Sequence, residues 1–233
     1  MSETFDILGT TIGFPVEVRD ARMANAVYTV PADAARAILD DDAFEVDVDE
    51  HGATTVVVGF VDYIDNDLGD YDEVMLAVMA RSVDADPEIQ GTYIWRLPVN
   101  QEFTCEAGIR MFGLPKTVED ITIEGNDESV TCTLRSGGSL VLRQRFPLLD
   151  DIEGVPMPSP TVCVSRIDGT PSVSESEPTG SLRMAFGGDG YELELGDHPW
   201  ADELRALGIE EADPTVLAVC DDWKSTFQTP RAI

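Results

Sequence analysis

The sequence predicts an α+β fold, mostly antiparallel β and barrel-like, with a few short helices. Three observations predict it. Strand-like segments rich in β-branched and aromatic residues follow one another through most of the chain. Glycine pairs and clusters punctuate them as turns. Only three stretches carry helical periodicity and caps.

The β segments begin with TTVVVGFVDYI (54–64), DEVMLAVMA (72–80) and GTYIWRLPV (91–99). DITIE (120–124), SVTCTL (129–134), SLVLRQRF (139–146) and TVCVSRI (161–167) follow, then SLRMAF (181–186), YELEL (191–195) and TVLAV (215–219). Strict alternation in SVTCTL and YELEL marks half-buried strands, while the longer apolar runs read as buried on both faces. Gly137-Gly138 and Gly187-Gly188-Asp189-Gly190 read as hairpin turns, and the second lacks the spacing and following helix of a dinucleotide fingerprint. The first helix starts near Pro31, with Ala34, Ala35, Ile38 and Leu39 on its apolar face. The second runs from about Gln101 to Phe112, with Asn100 as N-cap and Gly113 as the stop. The third follows Asp197-His198-Pro199 and ends at Gly208. Thr170 to Ser181 is polar, acidic and proline-containing, and reads as an exposed loop. With no repeat and no linker, 1–233 reads as a single domain.

The charge balance sets the class of protein. Forty-five acidic residues stand against 15 basic ones, for a net charge of -30, while 43% of residues are hydrophobic. An acidic surface over an ordinary core predicts adaptation to molar salt, where the Debye length falls to about 3 Å and repulsion is screened. The same field argues against nucleic acid, which needs a basic footprint. The N-terminus, Met1-Ser2-Glu3-Thr4-Phe5-Asp6, shows no basic segment and no signal-length apolar stretch, and no window has the length of a membrane span. The expectation is a cytoplasmic protein. Cys105, Cys132, Cys163 and Cys220 are widely separated and read as reduced, half-buried thiols. With only His51 and His198 beside them, no metal and no cofactor is expected.

The chain has almost eliminated lysine: 13 of the basic residues are arginine, and only Lys116 and Lys224 remain. Lys116 ends the segment Cys105-Glu106-Ala107-Gly108-Ile109-Arg110-Met111-Phe112-Gly113-Leu114-Pro115-Lys116, where a helix stops and Pro115 stiffens the exit. Lys224, in Asp221-Asp222-Trp223-Lys224, reads as an exposed ion pair. Arg110 reads either as a cation in the last helical turn, favourable to the dipole, or as a site cation. Glu73 reads either as a site acid or as a carboxylate at a solvated strand edge. Tyr71 reads as packing, and His198 as part of a helix start.

The helix followed by Pro115-Lys116 resembles the catalytic segment of the acetoacetate decarboxylase family. Leu68-Gly69-Asp70-Tyr71-Asp72-Glu73-Val74 is similar to that family's Tyr-x-Glu segment ahead of an apolar strand. His198-Pro199-Trp200-Ala201-Asp202-Glu203-Leu204-Arg205-Ala206-Leu207-Gly208 is similar to a closing segment of divergent members. The order and spacing of the three carry the resemblance across most of the chain.

The resemblance implies a cone-like barrel, a homo-oligomer, and a lysine lyase in which Lys116 forms a Schiff base with a small β-keto or 2-oxo acid. An aldolase or dehydratase using the same iminium, or a non-catalytic small-acid binding protein, stays open beside it. Glu73 is then a catalytic acid, and Arg110 and Arg22 bind the substrate carboxylate. The chemistry needs a neutral amine, and only roughly one ordinary lysine in 2,500 is neutral at pH 7. Burial or a nearby cation must lower the Lys116 pKa; the acetoacetate decarboxylase lysine is itself the standard example of such activation.

The chain departs from the family's pattern at several points. Thr117 stands where typical members have a second lysine, and Gly108-Ile109-Arg110 stands where they have Gly-Arg-Glu. A second family acid aligns near Val58, and a site arginine has approximate counterparts in Arg19 and Arg22. A guanidinium gripping the carboxylate opposes its loss, so Arg110 in the site predicts weak decarboxylation.

Overall fold

The computed structural model describes residues 3–83 and 89–233; Met1 and Ser2 of the N-terminal reading lie outside them. The strands are β1 (Thr4–Ile7), β2 (Thr10–Gly13), β3 (Val16–Pro31), β4 (Phe44–Val46), β5 (Ala53–Asn66), β6 (Tyr71–Ser82), β7 (Gln90–Val99), β8 (Lys116–Val118) and β9 (Asp120–Gly125). They continue as β10 (Ser129–Ser136), β11 (Ser139–Pro147), β12 (Val155–Pro156), β13 (Thr161–Ile167), β14 (Thr170–Thr179), β15 (Ser181–Phe186), β16 (Glu192–Leu195), β17 (Val216–Phe227) and β18 (Arg231–Ala232). The α-helices are α1 (Ala32–Arg36), α2 (Glu102–Phe112) and α3 (Pro199–Ala206).

The order β17-β3-β5-β6-β7-β13-β14 closes on itself through the pairing of β14 with β17, making a seven-stranded barrel. An odd number of strands cannot close with every neighbour antiparallel. The one parallel pair in the ring is β7 with β13. A parallel pair needs a long crossover, and this crossover holds α2, β8 and the strands β9, β10 and β11. Those three join β16 in a second, four-stranded sheet.

β6 and the middle of β5 carry buried residues on both faces, as the long apolar runs predicted, while β3 alternates buried and more exposed positions. Val56, Val58, Phe60, Val74, Leu76 and Val78 pack with Leu134, Leu142 and Phe146 of the second sheet in the main core. The alternate residues of the same strands turn the other way, so Met23, Val61 and Glu73 form one cross-strand row on the wall of an internal cavity.

Several elements differ from the sequence reading. Residues 170–179 are not an exposed loop: they form β14, which closes the barrel. Val173 is their one large apolar residue in the core, and Ser172, Ser174 and Ser176 are buried beside it. Small hydroxyl residues hid a buried strand behind a loop-like composition. The Gly187–Gly190 turn joins β15 to β16, but β16 pairs with β11, so it is a passage between sheets rather than a hairpin. The cap of α2 is Gln101, whose side chain accepts from the Thr104 N–H at 2.7 Å. Asn100 instead pairs with Asp72 through both backbone and side chain. The stop at Gly113 is as predicted, in the left-handed region at φ 64° with its N–H on the Ile109 carbonyl. All four cysteines are free. No helix among the described residues is long and apolar enough to cross a membrane.

Candidate active site

Helix α2 buries one stripe, Thr104, Ala107, Gly108, Met111 and Phe112, the spacing that puts residues on one helical face. Gly113 ends the helix, and the chain doubles back so that β8 pairs with β7 in parallel, Lys116 opposite Leu97. The Lys116 side chain then runs back across α2 at Gly108. A Cβ there would stand 2.5 Å from Lys116 Cδ and 2.6 Å from Cε, so only glycine leaves the lysine its path.

The Lys116 ammonium, on a residue only 7% exposed, reaches Glu73 Oε2 at 2.7 Å. It also donates to Thr104 Oγ1 at 3.4 Å and sits 5.0 Å from the centre of the Tyr71 ring. Tyr71 stacks on Tyr63 at 4.4 Å, and the Tyr63 hydroxyl donates to Glu73 Oε1 at 3.4 Å. Lys116, Glu73, Tyr63 and Tyr71 line a cavity of about 290 Å³ whose other walls include Val18, Val61, Ile94, Leu97, Phe112, Met157, Trp223 and Phe227. Lys116 is the only cationic side chain among the described residues that line it.

The electrostatics run against the sequence expectation. Burial pulls the Lys116 pKa down, but the Glu73 carboxylate beside it pushes harder, and the amine is held above the ordinary lysine value. Shelter is present, yet the raised pKa keeps the amine as an ammonium ion. Burial raises the Tyr63 and Tyr71 hydroxyls, so both are neutral proton donors at neutral pH. Burial likewise lifts the Cys163 thiol, on the same wall, to about 12.

Of the residues predicted for the site, the structure brings together Lys116 and Glu73 and leaves out both arginines. Glu73 is buried, not at a solvated edge. The Arg110 side chain is 46% exposed, donates to the Asp6 carbonyl at 2.6 Å and lies 3.9 Å from Glu106. It is a last-turn helix cation on the face of α2 opposite Gly108. Arg22 is exposed across from Asp62, and Arg19 is held by Asp65 and Asp67. None of the three lines the cavity. Val58, aligned with a family acid, faces the main core instead.

Tyr63, Thr104 and Trp223 are site residues the sequence reading missed. Thr104 was legible, since it stands one helical turn before Gly108 on the same face. Tyr63 needed the β5–β6 register, which sets it opposite Tyr71. The closing segment lies outside the cavity: Glu203 of α3 accepts from Trp95 Nε1 at 3.1 Å and Arg96 at 2.6 Å, pinning β7, the strand on which Lys116 is registered. His198 caps α3, accepting from the Trp200 N–H.

The architecture has known counterparts. A solved acetoacetate decarboxylase matches with a TM-score of 0.68 at 16% identity, covering 94% of this chain and 89% of that one. The acetoacetate decarboxylase of Legionella pneumophila gives 0.68 at 15% identity, covering 94% and 87%. An acetoacetate decarboxylase-like enzyme from Sphingomonas wittichii gives 0.60 at 15% identity, covering 95% and 94%. At such identities the likeness is one of fold. The comparison with curated proteins finds no match. The family model described as acetoacetate decarboxylase matches residues 9–218, nearly the whole chain and every element of the site except part of the wall from Val219 to Phe227. The chain belongs to the acetoacetate decarboxylase family.

Proposed function

We propose that the protein is a lysine-dependent lyase that forms a Schiff base at Lys116 with a small β-keto acid and releases carbon dioxide. The observation that carries this is the buried Lys116–Glu73 pair, 2.7 Å apart, on the wall of a cavity lined largely by apolar side chains. Glu73 takes the Lys116 proton along the existing hydrogen bond, freeing the amine to add to the keto carbon. Glu73 then returns that proton to the carbinolamine hydroxyl, which leaves as water, and the iminium forms. The bond to the carboxylate breaks, its electrons move into the iminium, and carbon dioxide departs. A proton adds to the resulting enamine carbon, and water releases a methyl ketone. The balance is one proton and one β-keto carboxylate in, one ketone and one carbon dioxide out.

The position of Arg110 changes the argument about the carboxylate. With no guanidinium on the cavity wall, nothing grips the leaving carboxylate more tightly in the ground state than in the transition state. Loss of the charged group as a neutral gas is therefore unopposed. The amine, by contrast, lacks the neighbouring cation that a second lysine provides, because Thr117 takes that place and is exposed.

The test is carbon dioxide release from acetoacetate in molar KCl, with borohydride reduction and peptide mapping in parallel. The expected result is release that is lost in Lys116→Ala, slow near neutral pH against the enzyme median of about 10 per second, with the mass shift on Lys116. Label at Lys116 from oxo acids without carbon dioxide assigns an aldolase or dehydratase using the same iminium. Saturable binding with no label leaves a binding protein.

A further inference from the structure

A second glycine in the barrel makes room for a polar side chain. Gly59 sits in the middle of β5, where glycine weakens a strand and marks the close approach of another group. Its partner across the ladder is Asn25 of β3. A Cβ at Gly59 would collide with Asn25 Oδ1 and stand 2.8 Å from the Ala24 carbonyl oxygen. The Asn25 amide therefore lies over Gly59, as the Lys116 side chain lies over Gly108.

Register sets that amide close to the reacting amine. Glu73 pairs with Val61, and Met75 with Gly59. Glu73 and Gly59 are thus diagonal neighbours, about 7–8 Å apart. Asn25 lines the same cavity as Glu73 and Lys116. It is half-buried, and neither arm of its amide has a hydrogen-bond partner among the described residues. The other polar side chains on that wall are committed. Asn66 donates to the Gly69 carbonyl and accepts from the Leu68 N–H. The Thr92 hydroxyl donates to the Val162 carbonyl, and the Thr161 and Ser176 hydroxyls bond to each other. The tyrosine hydroxyls bond to Glu73 and Thr104. The Ser174 hydroxyl and the Trp223 N–H are enclosed within the wall. Asn25 is the side-chain donor left for a ligand.

We propose that Asn25 is a catalytic residue whose Nδ2–H donates to the keto oxygen of the substrate as Lys116 adds to its carbon. The proposal rests on the Schiff-base reading. In that step the amine lone pair forms the N–C bond, and the π electrons of the carbonyl move onto its oxygen. The nitrogen is left positive and then gives the oxygen a proton, which makes the carbinolamine hydroxyl. Before that transfer the oxygen carries a negative charge, and a fixed donor in a sheltered site meets it best at that moment. A donor on the carboxylate would instead hold the ground state and oppose carbon dioxide loss. The keto oxygen is the place where an uncommitted amide speeds the reaction.

Acetoacetate and 4-methyl-2-pentanone share a methyl ketone end, and the second carries methyl groups where the first carries carboxylate oxygens. Each is mixed with the protein in molar KCl and quenched with borohydride at increasing times, which reads the rate of labelling at Lys116. Asn25→Leu keeps the bulk over Gly59 and removes the donor; Asn25→Ala repeats the test with a smaller side chain. Both variants are expected to label about a hundredfold more slowly with both ligands. The final extent of label with the ketone is expected to hold, because the oxygen has left as water once the iminium forms. Melting temperatures are expected to hold as well, since the amide has no partner to lose. An unchanged rate in both variants overturns the proposal. Slowing with acetoacetate alone also overturns it, by moving the contact to the carboxylate. A final extent or a melting temperature that falls with the rate reduces Asn25 to a structural role. Wild-type protein that neither ligand labels at Lys116 refutes the Schiff-base reading itself. Label that forms equally fast in wild type and variants overturns the role of Asn25 alone.

Discussion

The two lysines of the chain make a comparison in which local sequence points the wrong way. Lys224 follows Asp221 and Asp222, while no acid directly flanks Lys116. Yet Lys224 is exposed and forms no ion pair among the described residues, and Lys116 is buried with a carboxylate at 2.7 Å. The expected ion pair at Lys224 is absent because its neighbours are engaged elsewhere. Asp221 is held by Arg183. Asp222 accepts from the Ser181 N–H at 2.8 Å and from the Cys220 thiol. The partner of Lys116 comes from β6, brought across β7 by the barrel. Charge pairing here follows strand register, not sequence distance.

The same comparison separates shelter from activation. Lys224 is solvated. Lys116 is sheltered, yet the carboxylate that shares its pocket keeps it charged. Burial always pulls a lysine pKa down, but an opposite charge buried beside it can outweigh that pull. The site is therefore read as a proton-storing pair that must pass its proton internally before attack.

The sharpest way to break the comparison is to remove each lysine's charge. Lys116→Met leaves Glu73 buried without its partner and is expected to cost about 3–5 kcal/mol. Lys224→Met is expected to stay within about 0.5 kcal/mol. Thermal unfolding in molar KCl measures both, and equal costs would remove the distinction between the two sites.

A second experiment sharpens it through pH. The folded pKa of Lys116 lies above the ordinary lysine value, so its neutral fraction, and borohydride labelling with it, should climb as pH rises towards and through that raised value. In Glu73→Gln the raising charge is gone and burial remains, so the labelling curve shifts to lower pH. A shift of one unit gives about tenfold more label near pH 7. Turnover should fall in the same variant, because the proposed mechanism makes Glu73 the proton carrier. A labelling curve unmoved by Glu73→Gln would refute the assignment of the raised pKa to this pair.

The smallest expected effect separates the surface from the pocket. Lowering KCl from molar to tens of millimolar unscreens the net charge of -30 and is expected to lower the melting temperature by several degrees, an effect of about 1–2 kcal/mol. The pH profile of Lys116 labelling should not move while the protein stays folded, because a buried pair is little screened. A melting temperature constant across that range would sink the salt-adaptation argument.

Much of the barrel was legible because its strands are long and β-branched, with β6 and the middle of β5 buried on both faces. β14 was not, because a strand of serines, prolines and glutamates reads as loop until its neighbours bury it. Lys116 was legible from the near-absence of lysine and from the Gly113-Leu114-Pro115 exit that precedes it. Glu73 was legible as a member of a motif but not as a buried ion-pair partner. Arg110 looked like a site residue because it aligns with the acid of the family's Gly-Arg-Glu triplet, two positions after Gly108. On a helix, two positions turn a side chain about 200° away, and Arg110 faces solvent for that reason.

By itself the sequence determined the fold class, the helix stop before the lysine, the free cysteines and the acidic surface. Each follows from periodicity, capping or composition, which act over a few residues or over the whole chain at once. Only the tertiary structure decided that Glu73 meets Lys116 and that Tyr63 and Trp223 join the site. Those contacts join residues far apart in the chain, and they are set by barrel closure and strand register. A register slip of one residue turns every side chain of a strand to its other face, so no local pattern specifies them.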